Sequence, residues 1–155
     1  MKQKANVRWA GRMTFIGRAD TNHLVPMDTT SDFDGDNSAT KPMELLLIGL
    51  GGCTGMDIVP LLKKMRQDVT AVELNITAER SEEHPKVYTK IDIEYVVAGN
   101  SLEEDKVRRA VELSQERYCS VSAMLKKACP VNYQVRIVAR HPAARAGAPS
   151  DSESA

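Results

Sequence analysis

Three cysteines are the residues of this sequence best suited to chemistry. Cys53 lies in "GLGGCTG" (49–55), inside the most apolar segment, where a cysteine is more often a small buried hydrophobe than a nucleophile. Cys119 lies at a predicted helix start, and backbone amides there would lower the pKa of its thiol. Cys129 precedes Pro130 near a predicted helix end, where no such help exists, and is interpreted as structural.

The spacing of the cysteines argues against a structural zinc site or a disulfide scaffold. The sequence contains no CxxC motif, and its three histidines are scattered. The charged start Met1–Lys4 is followed by no apolar segment, so no signal peptide is expected and a cytoplasmic location is the default. Thiols in that compartment stay reduced unless their chemistry is transient or redox-linked.

Charge and composition argue against nucleic acids and membranes as partners of this chain. Of its 155 residues, 21 are basic and 21 are acidic, so there is no basic excess for nucleic acid or for an anionic membrane surface. The uncharged apolar stretch Leu45–Met56 is predicted to be too short to span a bilayer. We therefore expect no nucleic acid and no membrane as partners.

Glycines surround Cys53 at positions where a helix would favour alanine. Each glycine costs a helix about 1 kcal/mol relative to alanine, so a gain in packing or access should offset it. Gly51 and Gly55 lie one turn apart and, with Gly52, predict a flat face for close packing. Small neighbours would also leave a pocket at the thiol.

Three charged residues are candidate neighbours of a reactive thiol. Arg18 ends a predicted strand and is either a solvated charge or a partner of a thiolate. Glu44 falls in the first turn of a predicted helix, where a carboxylate favours the helix dipole in any case. Asp57 follows Cys53 by one helical turn, and an unpaired carboxylate there would raise the pKa of the thiol.

Hydrophobic periodicity predicts the order β-β-(β)-α-β-β-α-α-β. Two long alternations joined by "SEEHPK" predict a hairpin with one buried face, and Pro26 restricts the third segment to a sheet edge. Pro60 predicts a kink or break in the long apolar helix, and Ser101–Glu104 has the pattern of a capping box. The elements are predicted near 4–10, 12–18, 23–28, 41–66, 72–79, 87–97, 101–118, 119–128 and 131–137.

These elements predict an α+β fold with antiparallel sheets and one central buried helix, because hairpin connections dominate the order. A single domain is expected over 1–140. Residues 141–155 have the composition of a disordered C-terminal tail.

Two motifs resemble the osmotically inducible protein C (OsmC)/organic hydroperoxide resistance family. They are "KPMELLLIGLGGCTGMDIV" and, later, "RYCSVSAML", and the resemblance covers about residues 5–138. The segments "PMELLL" and "GGCT" are similar to a branch of the family whose biochemistry is less settled than that of the hydroperoxide reductases.

The resemblance implies an OsmC-like intertwined homodimer, with sheets wrapped around paired central helices. It implies that Cys53 is the peroxidatic cysteine and Cys119 the resolving one, with Arg18 stabilising the thiolate and Glu44 holding Arg18. The implied substrate is an organic hydroperoxide, and the implied reductant is a dithiol such as a lipoyl group. The chemistry requires no metal and no organic cofactor.

A second hypothesis from a different class also fits the sequence. The chain would then be a non-catalytic dimeric small-molecule binder or redox sensor on the same fold. Substrate turnover, as opposed to a single stoichiometric oxidation, separates the two hypotheses.

Overall fold

A computed structural model describes residues 1–139 and contains the predicted order of elements. The six strands are β1 (Ala5–Gly11), β2 (Thr14–Ala19), β3 (Leu24–Met27), β4 (Asp68–Arg80), β5 (Tyr88–Asn100) and β6 (Val131–Val138). The helices are α1 (Pro42–Lys64), α2 (Glu104–Leu113) and α3 (Ser120–Leu125), with a 3-10 turn at Ser31–Phe33 and a π-helical segment at Ser114–Tyr118. This α+β arrangement confirms the predicted fold class.

The chain divides into two compact units, Met1–Gly49 and Leu50–Ala155. In the first unit, β1, β2 and β3 form an antiparallel sheet in that order. Pro26 lies on the edge strand β3, as its missing N–H requires. The single domain over 1–140 stays a prediction, and the predicted tail at 141–155 lies outside the described residues.

A buried carboxylate organises the loop that follows β3. Asp28 Oδ1 accepts a hydrogen bond from the Thr29 N–H at 2.8 Å. Its Oδ2 accepts from the Ser38 hydroxyl at 2.7 Å and from the Asp36 and Ser38 amides at 3.1 Å each. These bonds, led by the one from the Ser38 hydroxyl, lower the pKa of Asp28 to about 2.

We predict that Asp28 makes the stability of the protein fall in acid. Because its folded-state pKa lies below the ordinary value of 3.8, its contribution is complete above that value and is lost as the pH falls toward about 2. Asp28→Asn should destabilise the protein at neutral pH and flatten the pH dependence of its unfolding free energy below about pH 4. Urea unfolding across this range measures both effects. Asp32→Asn, at an exposed position of the same loop, is the control and should keep the wild-type slope.

The second unit contains a sheet in the order β4-β5-β6. β4 and β5 form the predicted antiparallel hairpin, with Val72 opposite Val97 and Ile76 opposite Ile93. β6, however, runs parallel to β5, with Val131 beside Ile91. The expectation of purely antiparallel sheets is wrong here, because the helical region between the two strands carries the chain back to the start of β5.

The core of the second unit lies between α1, α2 and the sheet. Leu62, Val97, Val107 and Ala110 are fully buried and in contact. Within the chain, α1 buries a stripe that repeats every four residues, Leu50, Thr54, Ile58 and Leu62. The opposite side of α1 is open, since Met56 is 78% exposed.

The full helix is longer than the apolar stretch that the sequence suggested. Its 23 residues make α1 long and apolar enough to cross a membrane by length and composition. The stretch Leu45–Met56 is too short by itself, but the helix that contains it is not. Core helices of soluble proteins pass the same test, so α1 by itself assigns no membrane location.

The predicted break of α1 at Pro60 is wrong, and the alternative of a kink there stays a prediction. α1 continues past Pro60 to Lys64 without a break. Pro60 and Met56 lie on the exposed side, where water can satisfy the Met56 carbonyl that loses its N–H partner.

The predicted capping box does not form at the start of α2. The N-cap residue is Glu103, whose side chain makes no capping bond, and Ser101 has a φ of 51°. The Glu103 N–H instead donates to Gln67 Oε1 at 2.8 Å, so a residue that follows α1 caps α2. This long-range partner has no signature in the local sequence.

Candidate active site

The structure brings Cys53 and Cys119 together with a carboxylate. The Sγ atoms of Cys53 and Cys119 and one carboxylate oxygen of Asp57 all lie within 4.8 Å of one another. Cys53 and Asp57 are one turn apart on α1, which places them on the same side of the helix. Cys53 and Asp57 are partly exposed, whereas Cys119 is only 3% exposed. A molecule from solvent can therefore contact the site at Cys53, whereas Cys119 is buried from solvent.

A widened helical turn precedes Cys119. The Cys119 N–H donates to the Ser114 carbonyl at 2.8 Å, a bond across five residues that belongs to the π-helical segment. Cys119 then takes an extended conformation, with φ −71° and ψ 100°, before α3 begins at Ser120. Such π-helical turns occur frequently at functional sites.

Cys119 is a protonated thiol at neutral pH. Burial raises the pKa of Cys119 to about 11, and the nearby Cys53 and Asp57 add to the rise. The Ser122 N–H donates to Cys119 Sγ at 3.4 Å and acts in the opposite direction. The expectation of a lowered pKa is wrong, because loss of solvation outweighs one amide of a six-residue helix.

A buried hydrogen-bond network lies beside the sulfur pair and centres on Thr54. Its Oγ1 lies 2.6 Å from the Tyr95 hydroxyl and 2.7 Å from the Ser114 hydroxyl. Gln115 Nε2 donates to the Tyr95 oxygen at 2.6 Å. All four residues are buried, so their hydrogen-bonding groups depend on one another rather than on water.

The network has a direction, which follows from counting donors. The Ser114 hydroxyl donates to Asp57 Oδ2 at 2.9 Å, so it must accept the proton of Thr54. Thr54 then accepts the proton of Tyr95, whose oxygen accepts from Gln115. The hydroxyl protons of the network therefore all point toward the Asp57 carboxylate.

The other end of the network reaches Cys119. Gln115 Oε1 accepts a hydrogen bond from the Ser122 hydroxyl at 2.7 Å, and the Ser122 amide contacts Cys119 Sγ. Sequence analysis did not select Thr54, Ser114 or Gln115. The available signal was a set of polar residues on the buried sides of otherwise amphipathic helices.

The glycines around Cys53 divide into two groups. A Cβ at Gly51 would lie 3.1 Å from Ile76 Cδ1, and one at Gly55 would lie 3.4 Å from Leu74 Cδ1, so both allow α1 to approach β4. This confirms the predicted close packing for these two positions. A Cβ at Gly52 would meet nothing within 4 Å, so the helix is open at that side of the thiol.

Arg18 and Glu44 each have a local partner in the first unit. The exposed Arg18 donates to Asn22 Oδ1 at 3.3 Å. Glu44 Oε2 accepts from the Lys41 N–H at 3.0 Å and so caps the start of α1. No ion pair joins Arg18 to Glu44 within residues 1–139. Their roles in activating a thiolate stay predictions.

Comparison with known proteins decides the family. The family model described as "OsmC-like protein" matches residues 35–134, which include the sulfur pair and its hydrogen-bond network. The chain belongs to the OsmC-like family.

Relatives of this OsmC-like chain cover most of its length. It is 42% identical over 136 residues to Protein YhfA of Escherichia coli K12, a match that spans 88% of this chain and 98% of that protein. The crystal structure of a hypothetical protein from Aquifex aeolicus is 31% identical, with a TM-score of 0.74 over 89% of this chain and 98% of that one.

The same fold occurs in a more distant protein with a functional description. An organic hydroperoxide resistance protein OsmC from Legionella pneumophila superposes with a TM-score of 0.66. The match covers 87% of this OsmC-like chain and 96% of that chain at 13% identity, which shows a shared fold.

Proposed function

We propose that this protein is a cysteine-based thiol peroxidase that reduces organic hydroperoxides. The observation that carries the proposal is the convergence of Cys53 and Cys119, which are far apart in sequence, at a site open to solvent on the Cys53 side. The family supports it, because it includes proteins described by resistance to organic hydroperoxides. The same likeness supports a redox-linked role, and the cytoplasmic location stays a prediction.

The proposed reaction consumes one hydroperoxide and one dithiol in each cycle. The Cys53 thiolate attacks the terminal peroxide oxygen, the O–O bond breaks, and the alkoxide leaves with a proton as the alcohol. The sulfur of Cys119 then attacks the Cys53 sulfenic acid and expels water, which forms a disulfide. A dithiol such as a lipoyl group restores both thiols by exchange and is itself oxidised to its disulfide.

The accessibilities of the two thiols support these separate roles. Cys53 is the more exposed and can meet a hydroperoxide from solvent. Cys119 is buried and held as a thiol, so it is kept from direct oxidation until Cys53 becomes electrophilic. No bound metal or organic cofactor takes part in these steps.

A steady-state assay tests the proposal. Purified protein with an organic hydroperoxide and excess dihydrolipoamide should consume many equivalents of peroxide for each chain. Oxidation that stops after one equivalent, in the presence of active reductant, would instead favour the redox-sensor hypothesis. Absence of any thiol oxidation would favour a small-molecule binder.

We further propose that the protein is a homodimer. Met56 on α1 is 78% exposed, and the sheet of the first unit exposes a further set of large apolar side chains. Such patches mark interaction surfaces, and a second copy of the chain would cover them. The set on one face of this sheet comprises Val7, Trp9, Phe15 and Val25.

The assembly prediction is tested by light scattering. We expect a mass of twice the 17.1 kDa chain at micromolar concentration. Met56→Glu should shift the mass toward that of a monomer, because it introduces a charge into a covered apolar surface. Lys63→Glu, on an exposed polar part of the same helix, should stay dimeric. A wild-type monomer would contradict the proposal.

A further inference from the structure

Three metal-ligating side chains meet at the site already described. We propose that Cys53, Asp57 and Cys119 bind a thiophilic divalent cation, with Zn²⁺ as the best match, when both cysteines are reduced. The two sulfurs and the carboxylate oxygen lie within 4.8 Å of one another before any ion draws them in. The members come from two separate elements, so no CxxC motif or other local metal-binding pattern marks the set.

The kind and the spacing of the donors favour zinc. Two thiolates and one carboxylate are ligands that Zn²⁺ accepts, whereas Mg²⁺ and Ca²⁺ prefer oxygen donors alone. In a tetrahedral zinc site with such ligands, neighbouring donor atoms lie about 3.6–3.8 Å apart. Closing from the present separations therefore requires movements of about 1 Å, within reach of side-chain rotation.

Two of the three ligands, Asp57 and Cys119, are each oriented by a hydrogen bond from a neighbouring residue. The Ser114 hydroxyl donates to Asp57 Oδ2, which leaves the other carboxylate oxygen free to bind an ion. The Ser122 N–H donates to Cys119 Sγ, and such a bond stabilises a sulfur that carries negative charge. Outer partners of this kind are a regular part of metal sites, where they fix the ligands and tune affinity.

Local charge also favours a cation at this position. The site holds one carboxylate and two thiols that become anionic on deprotonation. Among the described residues of the unit Leu50–Ala155, no lysine or arginine forms an ion pair with Asp57. A bound divalent cation would neutralise two of these three negative charges.

The site would leave one coordination position to solvent. Cys53 and Asp57 are partly exposed, so a fourth ligand would be water. An ion held by three protein ligands in an open site exchanges more readily than one in a closed four-ligand site. The geometry therefore fits a reversible, regulatory ion rather than a permanent structural one.

Binding of the ion would depend on the redox state of the two cysteines. The ion displaces two thiol protons as it binds and occupies the sulfur that meets the hydroperoxide. Oxidation of the bound form by one hydroperoxide and two protons gives the disulfide, an alcohol, water and the released divalent ion. Inhibition of turnover by Zn²⁺ rests on the proposed peroxidase function, but binding of the ion does not.

Titration of the reduced protein with Co²⁺ tests the binding without any peroxide. The protein is reduced with a phosphine, because dithiols bind the metal themselves. We expect one equivalent of Co²⁺ per chain to produce a thiolate-to-cobalt charge-transfer band and the visible bands of a tetrahedral site. Zn²⁺ should abolish these bands by displacement, and its affinity follows from that competition.

Four variants test the ligand set. Cys119→Ser should lower the charge-transfer band by about half, since one of two thiolate ligands is removed. Asp57→Asn should weaken Zn²⁺ binding at least about tenfold, and Ser114→Ala should weaken it about tenfold. Cys129→Ser is the control and should bind like the wild type, since Cys129 is buried outside this group. Thermal unfolding confirms that each variant is folded.

Two results would overturn the proposal. One is the absence of a charge-transfer band in the reduced wild-type protein, which needs no variant to interpret. The other is unchanged Zn²⁺ affinity in a folded Asp57→Asn variant. Peroxide turnover with and without a chelator is measured separately, so a protein that binds Zn²⁺ but lacks peroxidase activity would contradict the proposed function and leave the metal site supported.

Discussion

Cys53→Ser should reduce hydroperoxide consumption to the uncatalysed rate, since it removes the more exposed of the two thiols of the site. In the wild type, one equivalent of organic hydroperoxide should join Cys53 to Cys119. Disulfide formation requires Cα atoms within about 7 Å and brings the sulfurs to about 2.05 Å. The sulfurs now lie within 4.8 Å, so a small local movement completes the bond. Peptide mapping by mass spectrometry identifies the linked cysteines.

Companion variants separate the roles of the three cysteines. Cys119→Ser should consume one equivalent of peroxide and then stop, with Cys53 held as a sulfenic acid that a dimedone-type probe labels. Cys129→Ser is the matched control and should turn over at the wild-type rate. A disulfide that includes Cys129, or full turnover by Cys53→Ser, would contradict the assignment.

Thr54→Val should destabilise the folded protein by about 2–6 kcal/mol. The substitution keeps the shape of the side chain but removes the hydroxyl at the centre of the network. The Tyr95 hydroxyl loses its acceptor and the Ser114 oxygen loses its donor, and each buried group left without a partner costs about 1–3 kcal/mol. Urea unfolding followed by circular dichroism measures the change in unfolding free energy.

Two controls isolate the hydrogen bonds from other effects of the change. Thr54→Ser keeps the hydroxyl and removes one methyl group, so it should cost only about 1 kcal/mol. Thr77→Val changes the same atoms at an exposed position of β4 and should have little effect. If Thr54→Val proves no more costly than Thr54→Ser, the network contributes little to stability.

The order of elements could be predicted because it depends on local periodicity. The long alternations of β4 and β5 and the apolar segment of α1 are strong patterns in the sequence. Features that depend on distant partners could not be predicted in this way. The cap of α2 comes from Gln67, and the parallel partner of β6 follows from where the helical region returns the chain.

The candidate site was predictable in part for the same reason. The family resemblance selected Cys53 and Cys119, and the structure places these two together. The pKa of Cys119 was misjudged, because its degree of burial is a property of the folded unit rather than of the local helix start. Asp57 was recognised as a neighbour of Cys53, but its Ser114 partner lies in a later element.

The parallel pairing of β5 with β6 has a kinetic consequence for the thiols. Cys119 lies on the crossover between these strands, so it meets Cys53 only after the helical part of that connection has packed against α1. Closing such a connection costs chain entropy before the contacts between the strands can offset it, so this closure is a slow step of folding. A newly made or transiently opened chain therefore holds its two reactive sulfurs apart. Rapid formation of the Cys53–Cys119 disulfide would thus report, during refolding, the moment at which the crossover docks.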